Sequence, residues 1–160
     1  MYHLGGIKPE DLTEARIMYE SIIIRLACPK ATQSDIEALN ANIDSAEEAR
    51  QSSNFTQRIQ RHIEFHRILA RIAGNSIMVV IMNGVLDIKV RFLQTAGPYD
   101  NTFVTSSRRR VMKHFAARNA DAAVVEMEAL LKRLHELYLS RLLVQQNTAA
   151  KSKVNRPVEM

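Results

Sequence analysis

The fold is decided by residues 61–75, which read RHIEFHRILARIAGN. Read as a helix, this stretch repeats apolar residues at three- and four-residue steps, and its charged residues fall on the opposite side. Two histidines, His62 and His66, lie one turn apart on the apolar stripe. Burying an imidazole costs free energy unless a partner satisfies its ring nitrogens. The stretch therefore predicts a core helix whose histidines either bond to neighbouring polar groups or border a ligand cavity.

Helical signals recur outward from this stretch along the whole chain. Helix starts are indicated by Pro9, by Thr32 with Asp35, by Asn75 after Gly74, and by Asn119. No segment alternates with the period of a strand, so we predict an all-α antiparallel bundle of about six helices. The apolar helix that starts near residue 76 is predicted to be central, and a fifth helix to begin near Ser106.

The domain limits follow from the same periodicity. We expect a flexible lead-in over residues 1–8 and one domain over residues 9–144. Residues 145–160 are polar and aperiodic, which predicts a disordered tail. On the first helix, Leu12, Ala15, Tyr19, Ile22 and Leu26 form the predicted inward stripe.

Composition restricts the class of protein. The 160 residues are 46% hydrophobic and 24% charged, which is ordinary for a globular domain. Cys28 is the single cysteine and no signal-peptide pattern is present, so we expect a cytoplasmic protein. The apolar run after Ile77 is interrupted by Asn83 and Gly84 and is too short to span a bilayer.

The net charge of +5 invites a nucleic-acid hypothesis. The basic residues are nevertheless spread over every predicted helix, and the tight cluster is Arg108, Arg109, Arg110 and Lys113. No zinc-finger, homeodomain or RNP pattern accompanies it. An enzyme is not expected either, because the sequence has no nucleophile–base arrangement, phosphate-binding glycine loop or pair of catalytic carboxylates.

Three local patterns together resemble the FCD domain, the ligand-binding C-terminal domain of FadR-type GntR transcription regulators. Their order and spacing carry the resemblance, which covers about residues 8–143. They are residues 9–16 (PEDLTEAR) with Glu20, then 64–66 (EFH) with 69–70 (LA) and 73–75 (AGN), then 116–123 (AARNADAA) with Met127.

The resemblance implies an effector sensor. The helical bundle would enclose a cavity for a small carboxylate such as an organic acid or amino acid, and the domain would form a homodimer. Effector binding would alter how the dimer presents winged helix-turn-helix domains to DNA. The effector-domain pattern begins by residue 9, so we expect the winged domain to be absent from this chain and operator binding to need it.

The resemblance also implies a divalent metal in many members, and here this sequence departs from the family. Of the four ligand positions, His66 matches, whereas His62 stands in place of an aspartate. The other two positions fall on Arg108 and Leu130. Because Arg and Leu side chains do not coordinate divalent cations, we expect a site without metal or other cofactor.

A guanidinium in place of a metal keeps positive charge in the cavity and grips a carboxylate through paired hydrogen bonds. We therefore predict effector binding by Arg108 as the main clamp, by His62 and His66, and with lower rank by Arg16 and Arg91.

Other interpretations of these residues remain open on the sequence alone. The histidines could be satisfied core residues, Arg108 a solvated member of the arginine run, and Arg16 a partner of Glu20 one turn on. Arg91 could simply reach water. A metal site could still form from His62 and His66 with His114 or His135. A helical adaptor without any ligand is a further alternative, whereas a di-iron bundle lacks its Glu-x-x-His pairs.

Overall fold

A computed structural model describes residues 5–154, which form six helices. In chain order they are α1 (Pro9–Ala27), α2 (Gln33–Gln51), α3 (Phe55–Ala73), α4 (Ser76–Ala96), α5 (Phe103–Ala116) and α6 (Ala120–Val154). None of the described residues lies in a β-strand, so the predicted all-α bundle is confirmed. No helix in this range is long and apolar enough to cross a membrane.

The helix ends follow the capping signals in the sequence. Thr32 and Asp35 form a reciprocal capping box, with Asp35 N donating to Thr32 Oγ1 over 3.1 Å and Thr32 N to Asp35 Oδ2 over 2.8 Å. Gly74 ends α3 with φ 79°, a left-handed conformation that favours glycine. Asn75 and Asn119 accept hydrogen bonds from the first turns of α4 and α6. These caps fix the turns that reverse the chain.

The helices pack with α3 and α6 on either side of α1, while α2 and α5 complete the bundle against α3 and α6. The main core joins all six helices through side chains such as Ile23, Leu39, Phe65, Phe115 and Met127. A second small cluster, made by Phe92, Ala96, Tyr138 and Leu142, joins the last turns of α4 to the outer part of α6. A cavity lies at the boundary between these two clusters.

Two predicted boundaries differ from the structure. Helix α5 begins at Phe103 rather than near Ser106, because the Arg133 guanidinium lies 4.0 Å from the centre of the Phe103 ring and Val104 is buried. The stretch from Gln145, predicted to be disordered, continues α6 to Val154. There Gln145 Nε2 donates to Ala96 O over 2.7 Å, and the following Gln and Ala residues favour helix. Residues 1–4 and 155–160 lie outside the described range.

The predicted central position of α4 was wrong. Its first half carries exposed Ile77, Val80 and Ile81, and only one side of the helix packs on the bundle. The predicted inward stripe of α1 was also wrong in part, because Ala15, Ile22 and Leu26 are exposed. The buried face of α1 instead carries Arg16, Glu20, Ile23, Ile24 and Ala27.

Candidate functional site

Six ionisable side chains from four helices are buried together beside the cavity. Buried charges require partners, because desolvating an unpaired ion is very costly. Their arrangement is therefore a specific feature of this fold. They are Arg16 and Glu20 of α1, His62 and His66 of α3, Lys89 of α4 and Arg108 of α5. We call this set the buried charge cluster.

Arg16 and Glu20 form an ion pair one turn apart on the inner face of α1. Arg16 Nε and Nη2 both lie 2.8 Å from Glu20 Oε1, and both side chains are almost fully buried. The pairing of Arg16 with Glu20, one of the two interpretations of Arg16, is therefore present, and it is buried. Each charge is compensated by the other, which is why α1 can turn these residues inward.

His66 links this ion pair to α5. Its Nδ1 lies 2.9 Å from Glu20 Oε2, while its Nε2 lies 3.4 Å from Arg16 Nη2 and 3.3 Å from Arg108 Nη2. A guanidinium has donors and no acceptor, so Nε2 must accept and Nδ1 must carry the proton. The contacts thus define a neutral His66 that donates to Glu20 and accepts from two arginines.

Arg108 bonds to both histidines and lies against Phe65. Its Nη1 donates to His62 Nδ1 over 2.8 Å, its Nη2 donates to His62 O over 3.3 Å, and its Cζ lies 4.5 Å from the centre of the Phe65 ring. Accepting at Nδ1 leaves the His62 proton on Nε2, a buried donor without a partner among the described residues. No carboxylate in the described part of the chain forms an ion pair with Arg108, which is 2% exposed.

Burial keeps both imidazoles neutral. It lowers the pKa of His66 to about 3, although the neighbouring Glu20 carboxylate opposes this shift. Burial, and then the positive charge of Arg108, hold the pKa of His62 well below its usual range. The histidines therefore act as hydrogen-bonding groups rather than cations at neutral pH.

The remaining members differ in charge. Burial raises the pKa of Glu20, but Arg16, His66 and Lys89 outweigh it, so the pKa lies well below its usual range and the carboxylate is ionised. Burial lowers the pKa of Arg108 to about 9, which leaves it cationic at neutral pH. Burial, and then repulsion from Arg16 and Arg108, hold the pKa of Lys89 well below its usual range.

The cavity has a volume of about 80 Å³. Arg16, His62, Lys89 and Arg108 line it, so four of the six members of the buried charge cluster reach the cavity wall. The other lining residues are Pro9, Leu12, Thr13, Phe92, Leu93, Tyr99, Asn101, Val104, Leu131, Leu134, His135 and Tyr138. Asn101 Oδ1 is buried and has no partner within residues 5–154.

The structure separates the predicted effector residues into three groups. Arg108, His62 and Arg16 line the cavity, whereas His66 lies behind Arg108 and orients it. Arg91 is exposed on the outer side of α4 and does not line the cavity, which corrects its predicted place in the site. Its side chain points to water because Lys89 and Phe92 occupy the buried face of that helix.

Two members of the buried charge cluster were missed as site residues by sequence reasoning, although each carries a signal. Lys89 interrupts a series of buried apolar residues at helical spacing, Met82, Leu86, Phe92 and Ala96. Glu20 occupies the same kind of position between Arg16 and Ile23 on α1. A charged residue within an apolar stripe was therefore the sign of a buried polar site.

The residues present do not fit a divalent metal. The lone pairs of His62 Nδ1 and His66 Nε2, which would coordinate the ion, already accept hydrogen bonds from Arg108. No group of three His, Cys, Asp or Glu side chains in the described range has a metal-binding arrangement. His135 lines the cavity but shares a 3.0 Å hydrogen bond between its Nδ1 and Thr13 Oγ1. His114 is half-buried and does not line the cavity.

Comparison with known proteins identifies the family. The FCD domain family model matches residues 11–133. The chain is 38% identical over 86 residues to the HTH-type transcriptional repressor NanR of Cronobacter sakazakii, a match that covers 53% of this chain and 31% of that protein. The Escherichia coli NanR is 32% identical over 85 residues, with the same coverage. The chain thus spans about a third of the length of these curated relatives, which are transcription regulators and not enzymes.

Solved structures share the fold. Escherichia coli McbR/YncC superposes with a TM-score of 0.76 at 11% identity, covering 82% of this chain and 68% of that one. Streptococcus agalactiae GntR superposes with a TM-score of 0.66 at 20% identity, covering 80% and 58% respectively. The match to the family model extends over most of the chain, as the motifs in its first, third and last helices predicted. This chain belongs to the FCD domain family of GntR-type transcription regulators.

Proposed function

We propose that this domain senses a small carboxylate and dimerises, as the effector-binding part of a cytoplasmic GntR-type transcription regulator. The observation that carries the proposal is Arg108, a buried guanidinium that lines the cavity without an acidic partner among the described residues. A buried cation of this kind is stabilised by any anion that enters the cavity. Charge-assisted hydrogen bonds to such a group contribute roughly 1.5–3 kcal/mol each.

Two neighbours support Arg108 in this role. His62 presents an unpartnered Nε2–H in the cavity wall, which suits a second oxygen of a carboxylate. His66, held by Glu20, fixes the guanidinium from behind. The acid therefore binds to preorganised donors, and a metal is not part of this proposed site.

The proposed homodimer uses an exposed apolar face of α1 and α4. Its six side chains are Met18, Ile22 and Leu26 of α1 with Ile77, Val80 and Ile81 of α4, and we call it the α1–α4 face. The two halves flank the 2.9 Å hydrogen bond from Tyr19 Oη to Met78 O. Exposed apolar patches of this kind are typical of protein interfaces.

The chemistry of the α1–α4 face favours a second copy of this chain. Residues 76–86 of α4 contain no charged residue, so this part of the face carries no charge. A Cβ atom added at Gly84 would meet nothing within 4 Å, so the backbone there is open to close approach by another helix. Such a self-complementary surface suits the symmetric interface of a homodimer.

In the proposed mechanism the acid binds one arrangement of the helices better than another and shifts the population between them. DNA contact would be made by a winged helix-turn-helix domain, which residues 5–154 do not contain. The acid would change the relative positions of two such domains through the dimer.

Thermal unfolding with a broad panel of small carboxylates tests this proposal. A sensor gains stability with a few acids, about 2.7 kcal/mol at a hundredfold excess over the dissociation constant. Arg108→Gln should abolish the gain, and Arg108→Lys should restore part of it because the charge returns without the forked donors. Arg109→Gln is the matched control, since Arg109 is exposed and pairs with Asp44 on the surface.

The same measurement separates the alternatives. Stabilisation by zinc or nickel without an acid would favour the metal-binding alternative. A protein that responds to no acid and no metal would be the ligand-free adaptor, and the proposal would fail.

A further inference from the structure

The cavity is graded from a charged end to an apolar end. On α1, Arg16 lies one turn from Leu12 along the wall, and on α5 Arg108 lies one turn from Val104. On α4, Lys89 precedes Phe92 by three residues, which is again close to one turn. One helical turn is about 5.4 Å. Each helix therefore places its cation and its apolar side chain about one turn apart along the cavity wall.

Leu12 and Phe92 lie at the same end of the cavity, and Val104 follows Tyr99, which packs on the same small cluster. Leu12 packs on the small cluster that contains Phe92 and Tyr138, whereas Tyr19, two turns along α1, bonds to Met78 at the start of α4. Helices α1 and α4 therefore run antiparallel. Leu12 and Phe92 lie at the end of the cavity that is remote from the start of α4. One turn further along their helices, Arg16 bonds to His66 and Arg108 bonds to both histidines. Lys89 lies beside the two arginines.

Within the described chain, the charged end contains one guanidinium without a counterion. Arg16 is paired with Glu20, and both histidines accept hydrogen bonds from arginines, which fixes them as neutral. Lys89 faces Arg16, Arg108 and Glu20, and burial with repulsion from the two arginines lowers its pKa. Arg108 is the guanidinium at this end that forms no ion pair with a carboxylate among the described residues. Its planar fork accommodates one carboxylate through paired hydrogen bonds.

The size of the cavity limits the rest of the ligand. Since one water needs about 10–15 Å³ of such space, a volume of about 80 Å³ admits roughly five to eight non-hydrogen atoms. At the apolar end Thr13 and His135 already bond to each other. Asn101 Oδ1 is an unpartnered acceptor in the described chain, so it adds a place for one donor but no charge.

We propose that the effector is a short monocarboxylate with a hydrocarbon body, its carboxylate on Arg108 and His62 and its body between Leu12, Phe92 and Val104. This inference rests on the proposed carboxylate-sensing function and names the class of acid. Dicarboxylates and polyhydroxylated acids of similar size are disfavoured, because their second charge or hydroxyl groups enter the apolar end without sufficient partners.

Calorimetric titration with four probes of similar size tests the class of ligand. Isocaproate carries one charge and an apolar body, succinate carries two charges, glycerate carries hydroxyl groups, and isocaproamide is the uncharged counterpart of the first. Each methylene buried at the apolar end contributes roughly a fourfold gain in affinity. We therefore expect isocaproate to bind at least about tenfold more tightly than each of the other three.

Two variants locate the body of the ligand. Leu12→Asn should lower the preference for isocaproate over succinate by about tenfold, because it places an amide in the apolar end. Leu137→Asn is the control, since Leu137 is also half-buried but does not line the cavity. An equal loss in both variants would overturn the assignment of the apolar end.

The outcomes distinguish this inference from the function on which it rests. Tightest binding of succinate or glycerate would overturn the monocarboxylate class and leave carboxylate sensing intact. Equal affinities for isocaproate and isocaproamide would show that the negative charge plays no part in recognition. That result would overturn both the monocarboxylate class and the carboxylate-sensing function. Absence of binding by every acid in the broad carboxylate panel would likewise overturn both.

Discussion

At the scale of single residues, the site depends on an arginine that acts through its neighbours. Arg108 takes the ring nitrogens of two histidines as acceptors, and in doing so fixes both imidazoles as neutral tautomers. The neutral His66 carries its N–H at Nδ1 and donates it to the Glu20 carboxylate. A lysine at position 108 would keep the charge but lose the planar fork that joins these contacts.

Stability should fall as the pH drops below about 6.5, because both buried histidines have lowered pKa values. The unfolded chain takes up protons near the ordinary value of 6.5, whereas folded His66 resists protonation down to about 3. Each such group costs about 1.4 kcal/mol per pH unit in this window. We expect the free energy of unfolding to drop by roughly 2–4 kcal/mol between pH 7 and pH 5.

Urea denaturation at several pH values checks this expectation. The groups that face the two histidines are Arg16, Glu20, Arg58, Lys89 and Arg108. The lowered pKa of Lys89 gives a slope of the same sign. The informative quantity is therefore the difference between variants. His62→Gln should reduce the slope, while the half-buried His114→Gln should leave it unchanged. Equal slopes in the wild type and His62→Gln would contradict the neutral, buried state of His62.

Residue-scale prediction from sequence succeeded where the helical period was unambiguous. The stripe on α3 placed His62 and His66 inward, and that on α5 placed Arg108 inward. It failed for Glu20 and Lys89, because a single charged residue in a helix is ordinarily assigned to solvent. Glu20 is turned inward by its ion pair with Arg16 and its contact with His66, and Lys89 lies beside Glu20 from another helix. The period of one helix does not reveal these contacts.

At the scale of helices, α1 and α4 each have two unlike faces. The inner face of α1 carries an ion pair, and its outer face carries Met18 and Ile22, 62% and 48% exposed. Apolar periodicity identifies a surface that avoids water and does not reveal whether the same chain or another covers it. This is why the sequence predicted an inner stripe for α1 that is wrong in part, and a central position for α4.

Ile81→Glu should convert a dimer into a monomer, because it places a charge in the uncharged part of the α1–α4 face. Light scattering after gel filtration at micromolar concentration measures the change in mass. Leu143→Glu is the matched control, since Leu143 is an exposed apolar residue of α6 outside this face. A wild-type monomer, or a variant that keeps the dimer mass, would show that the α1–α4 face is not the interface.

At the scale of the whole molecule, the cavity is an assembly of distant segments. Within the described chain it is lined by α1, α3, α4, α5, α6 and the loop that joins α4 to α5, with no residue from α2. The capping signals and apolar stripes predicted the number and most of the ends of these helices. The lining required the tertiary arrangement, since Asn101 and Tyr138 carry no periodic signal that distinguishes a cavity wall from a core.

Helix α1 contributes to both proposed surfaces, with Arg16 in the cavity and Ile22 on the α1–α4 face. An acid that moves Arg16 should therefore change the strength of the dimer, and dimerisation should change the affinity for the acid by the same factor. Couplings of this kind amount to about 1–3 kcal/mol, or roughly 5- to 150-fold in affinity. We expect the tightest acid of the panel to bind monomeric Ile81→Glu with an affinity that differs from the wild type by a factor in this range. Calorimetry on both proteins, with Leu143→Glu as the control, measures the factor. Equal affinities in monomer and dimer would contradict this coupling, because by reciprocity the acid would then leave the strength of the dimer unchanged.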